Sequence, residues 1–365
     1  MSSRSFPTPQ LLAFALLAAA CVHAEPSVTV ETGVIEAAPF AIAKPAHWNG
    51  NLLLLAHGYR DPSAPLIADL NPRHKAYATL LGEGWMVAKT GYRRNGIIVR
   101  DAITDIENLR AHIAAAFGEP RRVFLEGDSM GGAIVTLIAE QPAGRYQGAI
   151  AIGAALGIRE GDAPLVFTHQ PCLPVVFLTN QSELTDTAAY LSATSGARSR
   201  ALLLRVGRDG HVNVNQSERL LALRTVLSLA NHRPVSLPAI AGQPGWFEGT
   251  QTPSPTPSQV RPLDAGGFEA RVTEATAIFG NLALNAQPDD FARAAIAPGS
   301  WFELAAKGAT FRVFYGRTFS DVPRGEWIAF PNADGYFYLG RNRGNAASTA
   351  SLKEGDPVVI RPLRK

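Results

Sequence analysis

The chain has 365 residues, enough for two domains, and its 34 Lys and Arg against 31 Asp and Glu leave a formal net charge of only +3. With no basic run beside that balance, there is no polyanion track, and nucleic acid is excluded as the expected partner. The 2 cysteines, Cys21 and Cys172, stand in no CxxC or Cys/His spacing, so neither a disulfide framework nor a metal site is expected.

The first element is a leader. Arg4 precedes an apolar run from Leu11 to Cys21, and the small residues after it end in Val22-His23-Ala24. This pattern predicts a secretory signal peptide over residues 1–24, cleaved after Ala24, and a periplasmic or secreted product. The run is too short to cross a bilayer, so no transmembrane span is expected. A buried N-terminal helix and a lipoprotein anchored at Cys21 are the alternatives; Ala18 stands where an anchor signal usually carries a larger aliphatic residue. Cleavage would leave Cys172 as the only thiol, unable to form an internal disulfide.

From Val28 to His232 short apolar strands alternate with helical segments. Ser27–Val34 and Pro39–Ala43 suit antiparallel edge strands. Asn51–Ala56, Trp85–Lys89, Arg122–Glu126, Gly148–Ile152, Pro174–Thr179 and Ala201–Val206 read as strands buried on both faces. The helices are Asp101–Phe117, Met130–Glu140 and Asn215–Asn231; in the first, Ile103, Ile106, Leu109, Ile113 and Phe117 recur at helical spacing. This alternation predicts an α/β fold, a mostly parallel sheet covered by helices.

Gly127-Asp128-Ser129-Met130-Gly131 sits between the Arg122 strand and the Met130 helix. A GxSxG turn there forces strained dihedrals at the serine, so Gly127 and Gly131 must be small, and Ser129 is the candidate nucleophile. A serine hydroxyl needs a base, and the base needs an orienting acid. His211 follows the last of these strands in a loop leading to a helix, and it is the candidate base. His169 and His232 also follow Ser129 but read as surface residues. The acid is expected in the loop after the Pro174 strand. Glu183, nearer the strand end, is preferred, and Asp186 is the alternate. Oxyanion donors are expected from the Met130 N–H and, through the turn at His57-Gly58, from the Tyr59 N–H.

The words "WNG", "HGY", "GYRRNG", "GDSMGG" and "GH" at Trp48–Gly50, His57–Tyr59, Gly91–Gly96, Gly127–Gly132 and Gly210-His211 resemble bacterial members of the α/β-hydrolase superfamily. The resemblance runs from about Val28 to His232, and the domain is expected over residues 25–232. It implies an eight-stranded sheet and hydrolysis of an ester or related acyl bond, without naming the substrate. No cofactor is called for. Only about twenty residues separate the Ile150 and Pro174 strands, where many relatives insert a cap, which suggests an open site.

The stretch from Arg233 to Pro262 carries seven prolines and little periodicity, and residues 233–265 read as a stiff linker in which Trp246 and Phe247 dock on a domain. Residues 266–365 hold short alternating segments such as "TFRVFYG", "WIAF" and "GYFYLG", which predict a small β-rich, barrel-like domain. Thr318–Gly325, Gly335–Leu339, Asn342–Ala347 and Gly355–Ile360 resemble the C-terminal barrel of the S-adenosylmethionine hydroxide adenosyltransferase and fluorinase family. In that family the barrel supplies part of a nucleoside pocket at a subunit interface. The resemblance thus offers Asn342, Asn345 and Ala346 as ligand-binding candidates and homo-oligomerisation through this domain. The acidic partner domain of that family has no counterpart here.

Two functions follow. The first is a secreted serine hydrolase acting on a small-molecule acyl substrate through Ser129, His211 and an acid. The alternative is nucleoside-like ligand binding, or S-adenosylmethionine hydrolysis, by the barrel with the other domain as scaffold.

Overall fold

Leu52, Leu53, Leu54 and Leu55 follow one another, and all four are buried. A strand with no polar side must be covered on both faces, and the computed structural model shows that cover. It describes residues 28–363 apart from 143, 195–199, 236–238, 241–242, 245, 249–257, 277 and 336. The expected leader, residues 1–24, and Cys21 lie outside the described residues.

The larger sheet contains β1 (Val28–Ile35), β2 (Ala38–Pro45), β3 (Asn51–Ala56), β4 (Met86–Thr90), β5 (Arg122–Asp128), β6 (Gly148–Ile152), β7 (Val175–Asn180), β8 (Ala201–Gly207) and β9 (Trp246–Glu248). They lie in the order β1-β2-β4-β3-β5-β6-β7-β8-β9. β1 pairs antiparallel with β2, and β2 with β4. From β4 through to β9 the neighbours are parallel.

Alternate side chains of each strand reach opposite faces. Leu52, Leu54 and Met86 pack with α2 (Val99–Phe117) and α3 (Met130–Glu140) through Ile106, Leu109, Ile113 and Ile134. Leu53, Leu55, Val87 and Phe124 pack with α1 (Lys75–Gly82) and α5 (Gln216–Ala230) through Leu80, Leu81, Leu223 and Val226. Between β7 and β8 runs α4 (Leu184–Ala193), whose Tyr190 joins the first of these layers.

The sheet has nine strands where eight were expected. The ninth comes from the proline-rich stretch: Trp246 and Phe247 stand opposite Arg205 and Val206 of β8. A three-residue strand is too short to carry a period of its own, so the sequence shows it only as two aromatic residues among prolines.

The second sheet closes on itself. Its strands are β10 (Phe268–Ala275), β11 (Leu282–Leu284), β12 (Trp301–Ala306), β13 (Ala309–Tyr315), β14 (Trp327–Pro331), β15 (Phe337–Arg341) and β16 (Pro357–Pro362). The ring runs β10-β11-β15-β14-β13-β12-β16, and β16 returns to β10 through Phe268 opposite Ile360. Only β13 and β14 are parallel. Phe291, on α6 (Pro288–Arg293), plugs the barrel: it stacks on Phe337 at 4.0 Å and meets Phe268, Phe302 and Tyr315 at 5.1–5.4 Å.

Candidate active site

Ser129 is the single residue between β5 and α3. Its backbone has φ 57° and ψ −115°, a costly conformation for a residue with a Cβ. Hydrogen bonds fix it there: its N–H donates to the Ile152 carbonyl at 2.8 Å, and its carbonyl accepts from Ala133 and Ala155 at 3.2 and 3.1 Å. The flanking glycines follow from close approach. A Cβ on Gly127 would stand 2.1 Å from the Gly131 carbonyl oxygen, and one on Gly131 would stand 2.0 Å from the Ala56 carbonyl oxygen.

His211 lies in the loop between β8 and α5. Its Nε2 is 2.8 Å from Ser129 Oγ, and its Nδ1 is 2.5 Å from Glu183 Oε2. With the Nδ1–H given to the carboxylate, Nε2 is the acceptor for the serine hydroxyl. The Glu183 hydrogen bond and charge, against partial burial, raise the imidazole above its ordinary 6.5. Glu183 ends the 3₁₀ turn Gln181–Glu183 directly after β7, and its Oε1 accepts from Val212 N at 3.3 Å. Asp186 falls in the first turn of α4 instead, with its carboxylate toward Gly157. The side chain of His211 is 57% exposed, so the site opens to solvent.

The His211 loop is pinned throughout its length. Ser182 Oγ accepts from Gly210 N at 2.8 Å, and Asn180 Nδ2 donates to the Arg208 and Asn213 carbonyls at 3.0 and 2.9 Å. Arg208 pairs with Glu218 at 2.7 Å, and Glu218 forms a capping box with Asn215 at the start of α5.

On the opposite side, the loop after β3 brings Gly58 against Ser129; a Cβ there would be 3.1 Å from Ser129 Cβ. Tyr59 follows, 47% exposed. Among the described residues, neither the Tyr59 nor the Met130 N–H is paired with an acceptor. His57 is buried: Nδ1 donates to the Gly58 carbonyl at 2.7 Å, and the ring stacks on Tyr92 at 3.9 Å. Burial, then the charges of Arg60 and Lys89, push it down to about 3, so it stays neutral. Buried Arg60 pairs with Asp69, and Lys89 reaches the same carboxylate at 2.7 Å, which braces the loop.

Behind the turn lies a cluster that no sequence motif announces. Arg219 of α5 holds Asp128 at 2.9 and 3.0 Å and Glu126 at 2.7 Å, and the Tyr77 hydroxyl donates to Glu126 at 2.7 Å. Its sequence signal was a carboxylate, Glu126, inside an otherwise apolar buried strand. Among the described residues no cluster of His, Cys, Asp and Glu is arranged to hold a metal ion.

A mostly parallel sheet, a strained serine between strand and helix, and a later histidine in reach of it set the architecture. Residues 89–209 match the family model described as serine aminopeptidase, S33. The first unit has the α/β-hydrolase fold. Residues 278–359, in the barrel, match the model for the SAM hydroxide adenosyltransferase C-terminal domain.

Among solved structures, the chain finds distant likenesses. An uncharacterized conserved protein from Thermotoga maritima is 19% identical, with a TM-score of 0.27, over 37% of this chain and 48% of that one. The chain therefore spans about half the length of that protein. A Pyrococcus furiosus esterase is 12% identical, with a TM-score of 0.44, over 57% of this chain and 92% of that one. A Pyrococcus horikoshii acylaminoacyl peptidase is 13% identical, with a TM-score of 0.41, over 59% of this chain and 43% of that one. No curated protein matches the chain in sequence.

The barrel's candidate ligand residues make local contacts. Asn342 Nδ2 donates to the Val322 carbonyl at 2.7 Å. Asn345 Oδ1 accepts from Ser348 N at 2.8 Å, capping α7 (Ala346–Ala350), and Ala346 is fully buried. Among the described residues no helix is long and apolar enough to cross a membrane.

Proposed function

We propose that the chain is a serine hydrolase that cleaves a carboxylic ester or related acyl bond. The observation that carries this reading is the continuous line from Glu183 through His211 to Ser129, at 2.5 and 2.8 Å. In this reading His211 Nε2 takes the proton as Ser129 Oγ bonds to the acyl carbon. The Met130 and Tyr59 N–H groups receive the charge that develops on the acyl oxygen. The imidazolium then protonates the leaving alcohol as its bond to carbon breaks, giving an acyl-enzyme. Water, deprotonated by the same Nε2, attacks that ester; the acid leaves and the proton returns to Ser129.

The segment between β6 and β7 holds only the short hairpin Arg159–Glu160 and Ala163–Pro164, and His211 is open to water. Soluble, short-chain acyl substrates suit such a site better than long lipids. The test is turnover of p-nitrophenyl acetate. Ser129→Ala is expected to lose about a thousandfold or more in kcat with an unchanged circular dichroism spectrum. A variant that kept a tenth of parental activity would remove Ser129 from the reaction.

A further inference from the structure

The barrel meets the hydrolase unit beside the catalytic loops. Asp334, in the turn between β14 and β15, accepts from the Gln216 N–H at 2.7 Å. Gln216 is the first residue of α5, so its N–H has no partner within the helix. The capping box spends the Asn215 side chain on Glu218 N at 2.8 Å and leaves Gln216 to the barrel. Nearby, Glu274 of β10 lies close to Asn71 and to the charge of Arg73, so the contact extends beyond one residue.

Two catalytic segments hang from this same helix. Upstream, Glu218 grips Arg208, which donates to the Asn213 carbonyl at 3.0 Å and so closes the loop that carries His211. One residue further along, Arg219 clamps Asp128, next to Ser129, in a two-pronged pair. A shift of the first turn of α5 would therefore move both ends of the serine–histidine contact. Burial pushes the Asp334 carboxyl up, but the Gln216 N–H and the cations Arg219, Arg208 and Lys75 pull the other way. A carboxylate at a helix N-terminus is also favoured by the helix dipole.

We infer that Asp334, supplied by the barrel, is a positioning residue for the serine–histidine pair, acting through the first turn of α5. The inference rests on the serine-hydrolase reading and deepens it: the barrel completes the geometry of a site whose reacting groups all lie in the other unit. An error of an ångström in such a contact costs up to about a hundredfold in rate, and a partial loosening less.

The full chain is tested with p-nitrophenyl acetate, each rate being divided by the serines titrated with a fluorophosphonate. Asp334→Ala is expected to lower kcat about tenfold with KM within about twofold. Asp334→Asn keeps an oxygen acceptor and is expected to bring kcat back to within about twofold of the parent. Gln216→Pro removes the donor from the other side, and with it the Gln216 Oε1 that accepts from Ala76 N at 3.3 Å, a contact that Gln216→Ala deletes alone and is expected to leave kcat within about twofold. Proline suits a first helical position, and Asn215, at φ −92° and ψ 169°, already has the extended backbone a following proline requires. It is expected to lower kcat by the same factor as Asp334→Ala, and it decides alone if that variant does not fold. Parental kcat per titrated serine in Asp334→Ala or Gln216→Pro overturns the inference, as does a loss that Asp334→Asn does not reverse. A parent chain that the fluorophosphonate never titrates overturns the hydrolase reading itself, and this inference with it. A titrated parent beside unaffected variants overturns only the role of Asp334.

Discussion

His211 is held between two oxygens that ask different things of it. Glu183 favours the protonated ring and raises its pKa, whereas the proposed reaction needs Nε2 free to take a proton. Activity should therefore rise with pH through a single ionisation whose midpoint lies above the ordinary histidine value of 6.5. His57, pushed down to about 3, should not contribute a second one. Glu183→Gln removes the charge that supports the imidazolium. Its kcat/KM profile is expected to show a lower midpoint and a plateau reduced by about a hundredfold or more. An unchanged midpoint would detach Glu183 from His211, whereas Asp186→Asn, facing Gly157, should leave the profile as it is. The preference for Glu183 was legible in the sequence only as its nearness to the end of β7. Both follow β7 closely, and only the 3₁₀ turn at Gln181–Glu183 sets which one faces the histidine.

At the scale of elements, α5 and β5 are joined by more than apolar packing. Glu126 and Asp128 share the guanidinium of Arg219, with Tyr77 completing the partners of Glu126. Burial pushes the Glu126 carboxyl up despite Arg219, so the strand holds this acid at a cost that the arginine offsets. Arg219→Met is expected to destabilise the fold by about 3 kcal/mol or more, read as a lower urea midpoint, because it strands a buried carboxylate. A loss under about 1 kcal/mol would mean that the cluster is incidental to stability. The strands themselves were legible because buried parallel strands are continuously apolar: Asn51–Ala56 and Gly148–Ile152 match their expected limits. Trp246–Glu248 was not, since pairing with β8, not local pattern, makes it a strand.

Across the whole molecule, local patterns revealed two kinds of sheet but not how they meet. Turn residues and alternation mark the second unit as β-rich, yet its closure depends on β10 pairing with β16, far apart in the chain. The contact of Asp334 with Gln216 is likewise invisible in sequence, because nothing in a Gly- and Asn-bearing turn announces which helix it will cap. By contrast, the GxSxG turn and the later histidine were legible, since strain at Ser129 demands glycines on both sides and leaves a visible motif. Covalent labelling reads the reactivity of the Ser129 hydroxyl itself. Treated with a fluorophosphonate and mapped by mass spectrometry, the chain is expected to carry one adduct, on Ser129, absent in Ser129→Ala and slow to form in His211→Ala. No adduct, or one on another residue, would contradict the serine-hydrolase reading.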